Sequence, residues 1–323
     1  MSATGIGKMA DPRFGQTCQH ESSEIFHFPF RPRGQAERAA GQAQAPLKQA
    51  ASLAGFCDAR CSSAVALDNG DRIGLAIIVP VYGQHHLTRA VLQDLRYDGS
   101  ACTVYIVDNG GDYRAVGEEH VLRSGTNLHW AGGCNFGLLS AQERGHAGYV
   151  LLNNDVRLSH GFANGLLEAW RDTDAALVGP VYDDNWPQQR ISYAGPADAY
   201  DTRQLDRVVP FIDGTCMLIP DQTLRQVGLL DERTWPRYGW GCDKDYALRT
   251  RQAGGSVWVT ERSYLNHLGR QTAAKTTWYN EQEAEAENDA GMAAKWGPAW
   301  KDLLYAGFGN TPREGVVQQR IAH

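Results

Sequence analysis

The chain has 323 residues, of which 42% are hydrophobic and 21% charged, and its formal net charge is -6 at pH 7. This composition is that of a soluble globular protein, and it excludes collagen-like and wholly disordered chains. The acidic balance argues against a nucleic-acid partner, because a phosphate backbone requires a basic protein face.

Cysteine usage and hydropathy bear on the compartment. Seven cysteines are scattered along the chain without a CxxC pair, which favours reduced thiols over a disulfide framework or a zinc ribbon. No segment approaches the roughly 20 apolar residues that cross a bilayer, and the N-terminus has no signal-peptide core. We therefore expect a cytoplasmic protein whose contact with a membrane is at most peripheral, at the inner face.

Changes in composition divide the chain into four parts. Residues 1–72 are rich in Ala, Gln, Gly and Ser and have no sustained period, which predicts a mobile or weakly packed extension. Residues 73–183 alternate apolar runs with helical patterns and form the first half of a globular domain. Residues 184–275 form a looser α+β half built onto it, and residues 276–323 form a C-terminal helical segment.

The predicted elements of the first half follow a strand–helix rhythm. Buried strands are predicted over GLAIIVPVYGQ, CTVYIVDNGG, GYVLLNND and AALVGPVYD, and helices over HHLTRAVLQDLR, AGGCNFGLLSAQERG and HGFANGLLEAWRD. Strands that lack polar alternation and are separated by helices are typical of a parallel sheet covered on both faces. The predicted fold is therefore α/β and Rossmann-like, with a mainly parallel central sheet flanked by helices.

The second half adds elements of both kinds. FIDGTCMLIP and SVWVTERS are predicted strands, while DQTLRQVGLL is a predicted helix capped by Asp221. Two more helices are predicted, over CDKDYALRTRQAGG and NEQEAEAENDAGMAAKW.

Polar side chains follow two of the predicted strands. Asp108 ends the second strand, and Asn153, Asn154 and Asp155 end the third. Ligands of open α/β sheets bind at the carboxyl ends of the strands, so these groups are candidate ligand contacts. The alternative is that they are turn residues, a role that Asn and Asp often take.

No GxGxxG follows the first strand and no GxxxxGK[ST] occurs, which argues against a dinucleotide dehydrogenase or a P-loop enzyme.

Seven blocks of sequence occur in the order of one large enzyme family. They lie within about residues 73–275 and read AIIVPVYG, VYIVDNGG, NLHWAGGCNFGL, LLNNDV, DGTCMLIP, VGLLDERTWPRYGWGCDKDYALRTRQAGG and NHLGRQT. On these blocks the chain resembles the inverting nucleotide-sugar glycosyltransferases of GT-A fold, family 2, in particular the rhamnosyltransferase-like enzymes. The resemblance implies that a UDP- or dTDP-sugar gives its sugar to an acceptor hydroxyl, on a glycan or a small molecule, in a single displacement that uses Mn²⁺ or Mg²⁺.

The resemblance assigns the metal and ribose contacts. Asp155 occupies the last position of the family's DxD-like motif and would bind the cation, for which a carboxylate is a suitable hard ligand. Asn153 stands at the first position, where the amide keeps a contact with ribose but carries no charge. His267 falls in the segment of the family's metal-binding His, and an imidazole ligand favours manganese.

The same resemblance assigns the nucleotide contacts. Asp108 matches the residue that accepts the imide N–H of uracil or thymine, and such a charge-assisted hydrogen bond is strong. Its alternative role is that of a turn residue before Asn-Gly. The other nucleotide candidates are Pro80, Tyr82, Asn127 and Gly133, and for Gly133 close helix packing is an equal explanation.

The resemblance makes residues 73–183 the nucleotide-sugar-binding half of a GT-A domain and residues 184–275 its acceptor-binding, catalytic half. The acceptor side is assigned through the block around GCDKDYALR. Asp243 matches the family's catalytic base, since direct displacement requires a carboxylate to take the acceptor proton. The Glu that precedes this base in the family is Cys242 here. Asp243 is alternatively a helix N-cap, and Asp245 is either a structural first-turn acid or a neighbour of the acceptor.

Two weaker candidates complete the site. Trp240 would offer a flat face to a sugar ring, or else pack in the core. Arg270 would clamp the diphosphate, or else lie in solvent. The departures from the family at Cys242 and Asn153 leave two alternatives to an enzyme: a non-catalytic module that binds a nucleotide sugar, and a scaffold with a degenerate site.

Overall fold

A computed structural model describes residues 73–97, 102–183, 188–269, 271, 275 and 279–308. The predicted extension over residues 1–72 lies outside these described residues, as does Arg270. Within the described ranges the chain forms nine strands and seven α-helices, all belonging to one α/β unit.

The elements alternate in the first half and become less regular in the second. The strands are β1 (Ile73–Val81), β2 (Cys102–Asp108), β3 (His120–Arg123), β4 (His146–Leu152), β5 (Val156–Leu158), β6 (Leu177–Tyr182), β7 (Asp206–Val208), β8 (Cys216–Pro220) and β9 (Val257–His267). The helices are α1 (His85–Tyr97), α2 (His129–Gln142), α3 (Phe162–Thr173), α4 (Asp221–Val227), α5 (Cys242–Gln252), α6 (Glu281–Trp296) and α7 (Trp300–Tyr305). None of these described helices has the length and apolarity needed to cross a membrane.

The strand–helix rhythm predicted from the sequence is confirmed for the long elements. The short strands β3, β5 and β7 and the short helix α7 were not predicted, because three to six residues provide too little periodicity.

The predicted cap of α4 is wrong by one position: Pro220 is the N-cap and Asp221 is the first helical residue. The Asp221 carboxylate accepts hydrogen bonds from Tyr149 Oη at 3.0 Å and Arg225 Nε at 2.7 Å, and so ties the helix to the sheet.

The strands form one mixed sheet in the order β3-β2-β1-β4-β8-β6-β9-β5, with β7 paired to β9. β1, β2, β3, β4, β6 and β9 run in one direction, as predicted for a mainly parallel sheet, while β5, β7 and β8 run in the other. Because β8 is antiparallel to β4, with Cys216 opposite Leu152, the loop before β8 lies at the carboxyl end of β4. This topology places one reversed loop among the strand ends where a ligand is expected.

Two apolar cores cover the two faces of the sheet, and β1 shows why its sequence does not alternate. Ala76 and Ile78 point into a core shared with α2, α4, α5 and α6. Leu75, Ile77 and Val79 point into a second core shared with α1 and α3. Since both faces are buried, both sets of side chains are apolar.

The contact between α2 and β1 is close enough to test. A Cβ on Gly137 would lie 2.4 Å from Ile78 Cγ2 in the tightly packed sheet, whereas a Cβ on Gly132 of the same helix would lie 3.2 Å from the Glu232 carboxylate and 3.2 Å from Leu128 Cβ. We expect Gly137→Ala to lower the free energy of unfolding by about 1–3 kcal/mol through overpacking. Gly132→Ala is the matched control, because it gains helix propensity at a site with a flexible neighbour. Urea denaturation checks both variants, and equal losses would contradict the described packing.

Candidate functional site

The Asp155–His267 pair lies where β5 meets the end of β9. The β5–β9 ladder sets Val156 opposite His267, so the preceding residue, Asp155, has its Oδ1 3.5 Å from His267 Nε2. The Asp155 Oδ2 accepts a hydrogen bond from the Gln271 backbone N–H at 3.3 Å. Burial raises the pKa of the Asp155 carboxyl, but the hydrogen bond and charge of His267, together with backbone hydrogen bonds that include the one from Gln271, lower the pKa overall. The carboxylate is therefore held in its ionised form.

This pair has the chemistry of a partial metal site. Among the described residues no three His, Cys, Asp or Glu side chains converge. One carboxylate and one imidazole are nevertheless donors that Mn²⁺ accepts, and hard cations complete their coordination with ligand oxygens and water. Asp155 and His267 fit a cation that is shared with a bound anion.

Asn153 is oriented by Trp130, which the sequence reasoning missed. Trp130 Nε1 donates a hydrogen bond to Asn153 Oδ1 at 2.9 Å, and a Cβ on Gly214 would lie 2.9 Å from the Trp130 ring. The indole therefore connects the end of β4 with the turn before β8. Trp130 lies in the block NLHWAGG, but only the tertiary structure brings it to Asn153. The Nδ2 of Asn153 donates to none of the described residues, so it is the atom available to a ligand.

The three polar residues after β4 have three different roles. Asn154 Nδ2 donates to Thr88 Oγ1 of α1 at 3.2 Å, and both side chains are buried. Asn154 therefore fastens the loop to α1, while Asn153 contacts Trp130 and Asp155 contacts His267. A buried strand can end in two amides and a carboxylate because each group has its own partner.

Asp108 organises the loop that follows β2. Its Oδ1 accepts a hydrogen bond from the Gly111 N–H at 2.8 Å, and its Oδ2 accepts one from the Tyr113 N–H at 3.1 Å. Arg123 Nε lies 3.5 Å from Oδ2, and the Asp108 side chain is 0% exposed. In this conformation Asp108 stabilises the turn after β2, and its carboxylate is not accessible to the imide N–H of a uracil or thymine base.

The remaining nucleotide candidates surround the same loop. A Cβ on Gly133 would lie 3.1 Å from Asn109 Nδ2 and 3.3 Å from Pro80 Cβ, so close packing leaves little room for a larger residue here. Asn127 Oδ1 accepts a hydrogen bond from the His129 N–H at 2.9 Å and stabilises the turn that leads into α2. Tyr82 is 41% exposed after β1 and presents its ring to solvent.

Asp243 is a buried carboxylate in the first turn of α5. The N-cap of this helix is Gly241, so the alternative reading of Asp243 as the cap is wrong. Asp243 is 5% exposed, and its Oδ1 accepts hydrogen bonds from the Lys244 N–H at 2.7 Å and from Lys244 Nζ at 3.4 Å. Burial raises the pKa of the Asp243 carboxyl, the Lys244 charge opposes this rise, and the Asp213 charge adds to it.

Asp213 is the second residue that the sequence reasoning missed. It lies in the turn before β8, where its Oδ1 accepts hydrogen bonds from the backbone N–H and the hydroxyl of Thr215. Its own N–H donates to Gln189 Oε1 at 2.7 Å. An acid before Gly in DGTCMLIP was visible in the sequence, but the reversed direction of β8 is what brings it to the sheet edge beside Asp243.

Two neighbours of Asp243 are structural. Cys242 is fully buried, its Sγ donates to the Asp231 carbonyl oxygen at 3.4 Å, and burial raises the pKa of its thiol. Asp245 is also fully buried, and its carboxylate pairs with Arg249 Nε of the same helix at 2.9 Å. It also binds two groups of α6, Lys295 Nζ at 2.8 Å and Trp296 Nε1 at 3.0 Å. Asp245 therefore connects α5 to α6.

Trp240 lies beside the first turn of α5. Its ring is partly buried, with its centroid 6.3 Å from that of Tyr279, and the Tyr279 and Tyr238 centroids are 5.7 Å apart. The carbonyl oxygen of Trp240 accepts a hydrogen bond from Lys244 Nζ at 3.0 Å. The Trp240 backbone thus contacts the Asp243–Lys244 pair, and its ring joins an aromatic group next to it.

The fold is similar to the GT-A glycosyltransferase fold. A crystal structure of GalNAc-T7 with UDP, GalNAc and Mn²⁺ is similar, with a TM-score of 0.50 and 12% sequence identity. The match covers 74% of this chain and 51% of that one, so the chain spans about half the length of the solved structure. At this identity the likeness establishes the fold.

Sequence relatives define the family more narrowly. The chain is 41% identical over 201 residues to three proteins described as uncharacterized, Mb1552 of Mycobacterium bovis and MT1576 and Rv1525 of Mycobacterium tuberculosis. The alignment covers 62% of this chain and 76% of each relative, and the chain belongs to the family of these mycobacterial proteins. No family model matches it.

The lowered pKa of Asp155 leads to a stability prediction for the metal-free protein. A carboxyl group whose pKa is lower in the folded state than in the unfolded state stabilises the folded state. This stabilisation is complete above the unfolded-state pKa of about 4, and it is lost as the pH falls through the folded-state pKa. We expect Asp155→Asn to lower the free energy of unfolding by about 1–3 kcal/mol at pH 7. The difference from the parent should narrow below about pH 5.

Urea denaturation with a chelator at pH 7, 4 and 3 measures this difference. Asp201→Asn is the control, because Asp201 is exposed in the loop before β7 and its substitution should change little. A difference between Asp155→Asn and the parent that stays constant with pH would contradict the described contact with His267.

Proposed function

We propose that the protein is an inverting glycosyltransferase of family 2, rhamnosyltransferase-like, which transfers a sugar from a UDP- or dTDP-sugar to an acceptor hydroxyl. One observation carries the proposal: Asp213, whose charge acts on the buried Asp243, lies in the turn before β8, and in that turn the Thr215 carbonyl oxygen accepts a hydrogen bond from the Asn153 N–H at 2.9 Å, two residues before Asp155. The GT-A fold and the seven ordered sequence blocks support it. GalNAc-T7, with this fold, was crystallised with UDP, GalNAc and Mn²⁺.

On the donor side, Asp155 and His267 would hold a divalent cation, either Mn²⁺ or Mg²⁺. When bound, that cation supplies Lewis-acid stabilisation of the leaving diphosphate. The Nδ2 of Asn153 would donate to a ribose hydroxyl, since the Oδ1 already accepts a hydrogen bond from Trp130. The diphosphate contact of Arg270 stays a prediction, since that residue lies outside the described part of the chain.

The nucleobase would lie against the loops that follow β1 and β2. Tyr82 offers an exposed ring there, and Pro80, Asn127 and Gly133 shape the backbone around it. Asp108 supports this surface by fixing the loop through its Gly111 and Tyr113 N–H groups. Direct contact of Asp108 with an imide N–H requires that loop to open.

On the acceptor side, Asp243 would act as the general base. As the acceptor oxygen attacks the anomeric carbon, its proton passes to Asp243 Oδ2, and the bond from the anomeric carbon to the phosphate oxygen breaks with its electron pair on the diphosphate. A carboxylate with a raised pKa suits this role, because base strength improves as the pKa approaches the working pH. Trp240, with Tyr279, would provide an aromatic wall for the acceptor.

We place the reaction in the cytoplasm, on the free state of the cysteines. Cys102, Cys134, Cys216 and Cys242 are free in the described part of the chain. Three of them are buried as thiols, which is typical of proteins from reducing compartments.

A non-catalytic module that binds a nucleotide sugar is the second candidate. It is favoured by Cys242, which is fully buried and apolar where the family has a Glu. It predicts binding of UDP without turnover of any donor in a wide panel. A scaffold with a degenerate site predicts no binding at all.

Asp243→Asn tests the role of the base. The amide cannot take the acceptor proton, so we expect the transfer rate to fall by about 10²–10⁴-fold. Binding of UDP with Mn²⁺, measured as a thermal shift, should be unchanged, because native-state binding raises apparent stability independently of turnover. Asp302→Asn, an exposed site in the first turn of α7, is the control and should retain parental transfer. Parental turnover in Asp243→Asn would remove this residue from the mechanism.

A further inference from the structure

The basic residue that follows Asp243 has a specific place in the site. We propose that Lys244 is a positioning residue for the acceptor-activating carboxylate: its ammonium group holds Asp243 in one orientation and favours its ionised form. This inference rests on the proposed function, in which Asp243 takes the acceptor proton. It concerns a residue that the sequence blocks did not single out.

The contact between Lys244 and Asp243 is not a default of helical geometry. Neighbouring residues in a helix point in different directions and do not usually meet. Here Lys244 Nζ turns back by one helical turn to donate to the Trp240 carbonyl oxygen at 3.0 Å. This brings Nζ to 3.4 Å from Asp243 Oδ1 and to 5.5 Å from the centroid of the buried Phe211 ring.

Burial strengthens the electrostatic attraction between Lys244 and Asp243. The side chains of Lys244 and Asp243 are only 10% and 7% exposed, so the surrounding water does little to screen their attraction. A buried charge is costly unless it is paired, and each of these two groups reduces the cost of the other. Phe211 and the Trp240 carbonyl keep the ammonium group in place on its other sides.

The charges around Asp243 act in opposite directions. Asp213, from the turn before β8, is a like charge that favours the protonated form of Asp243. Cys242 precedes Asp243 as a buried thiol with a raised pKa. Asp245 is already paired with Arg249 and Lys295. Lys244 is thus the charge that opposes both burial and Asp213, and it does so in part, since the pKa of Asp243 stays raised.

The hydrogen bonds also separate the two carboxylate oxygens of Asp243. Oδ1 accepts from both the backbone N–H and the Nζ of Lys244. Oδ2 accepts no hydrogen bond from the described residues. Lys244 therefore occupies one oxygen and leaves the other to receive the acceptor proton.

Two substitutions with opposite expected shifts test the proposal. The acid limb of the pH profile of kcat/KM reports the loss of the Asp243 proton. Lys244→Met removes the cation, and we expect the limb to move to higher pH by about one unit, the shift that a nearby opposite charge produces. Asp213→Asn removes the like charge but keeps an acceptor for Thr215, and we expect the limb to move to lower pH.

The remaining variants separate charge from packing. Lys244→Arg keeps the positive charge, so the acid limb should stay at its parental pH. Lys301→Met, at the exposed surface of α7, should leave the whole pH profile unchanged. A thermal shift with UDP and Mn²⁺ checks that each variant is folded and still binds the donor nucleotide. A limb that stays in place in Lys244→Met, with the parent active, would overturn the proposal and leave the proposed function intact.

The inference can also be tested without turnover. If the parent transfers no sugar from any donor in a wide panel, that result contradicts the proposed function and does not by itself test the role of Lys244. In that case, ¹³C NMR titration of the Asp243 carboxyl in the parent and in Lys244→Met makes the same comparison. A higher titration midpoint in Lys244→Met supports the charge effect, and equal midpoints overturn it.

Discussion

The site depends on the insertion of one reversed strand, β8, between two strands that run the other way, β4 and β6. Five paired positions, from Gly148 opposite Pro220 to Leu152 opposite Cys216, fix the register of β8 on β4. A one-residue slip would exchange its buried faces, so the register is strongly specified. The loop before β8 is thereby held at the carboxyl edge, where Asp213 reaches the neighbourhood of Asp243 and Gly214 packs against Trp130.

Burial acts on the carboxyls of both halves of the site, and their partners decide the outcome. Asp155 is buried against His267 and a backbone N–H, and its pKa is lowered. Asp243 is buried between a cation and another carboxylate, and its pKa is raised. Two carboxyls whose environments move their pKa values apart are a common basis for dividing roles in one site. The ionised one suits a cation, and the more basic one suits proton transfer.

The sequence predicted those parts of the fold that long local patterns determine. The buried strands β1, β2, β4 and β6 were visible as apolar runs because both of their faces are covered. Asp155 and His267 were predicted as partners, and the β5–β9 ladder does bring them together. Asn154 had only a turn role in the sequence, yet its hydrogen bond to Thr88 gives it a structural one.

The rest could not be predicted because it depends on tertiary placement. The direction of β8 is a property of the whole sheet, so the approach of Asp213 to Asp243 has no local signal. The burial of Asp108 depends on how its loop folds back onto the carboxylate. The contact of Lys244 with Asp243 likewise requires the side chain to turn back to Trp240.

In the proposed donor site, this sheet edge binds a nucleotide together with a divalent cation held by Asp155 and His267. Calorimetric titration of UDP into the parent and into Asp155→Ala, with Mn²⁺ and again with a chelator, tests it most directly. We expect UDP to bind to the parent in a way that requires Mn²⁺ and is lost in Asp155→Ala. Binding of equal strength with the chelator, or in Asp155→Ala, would contradict it.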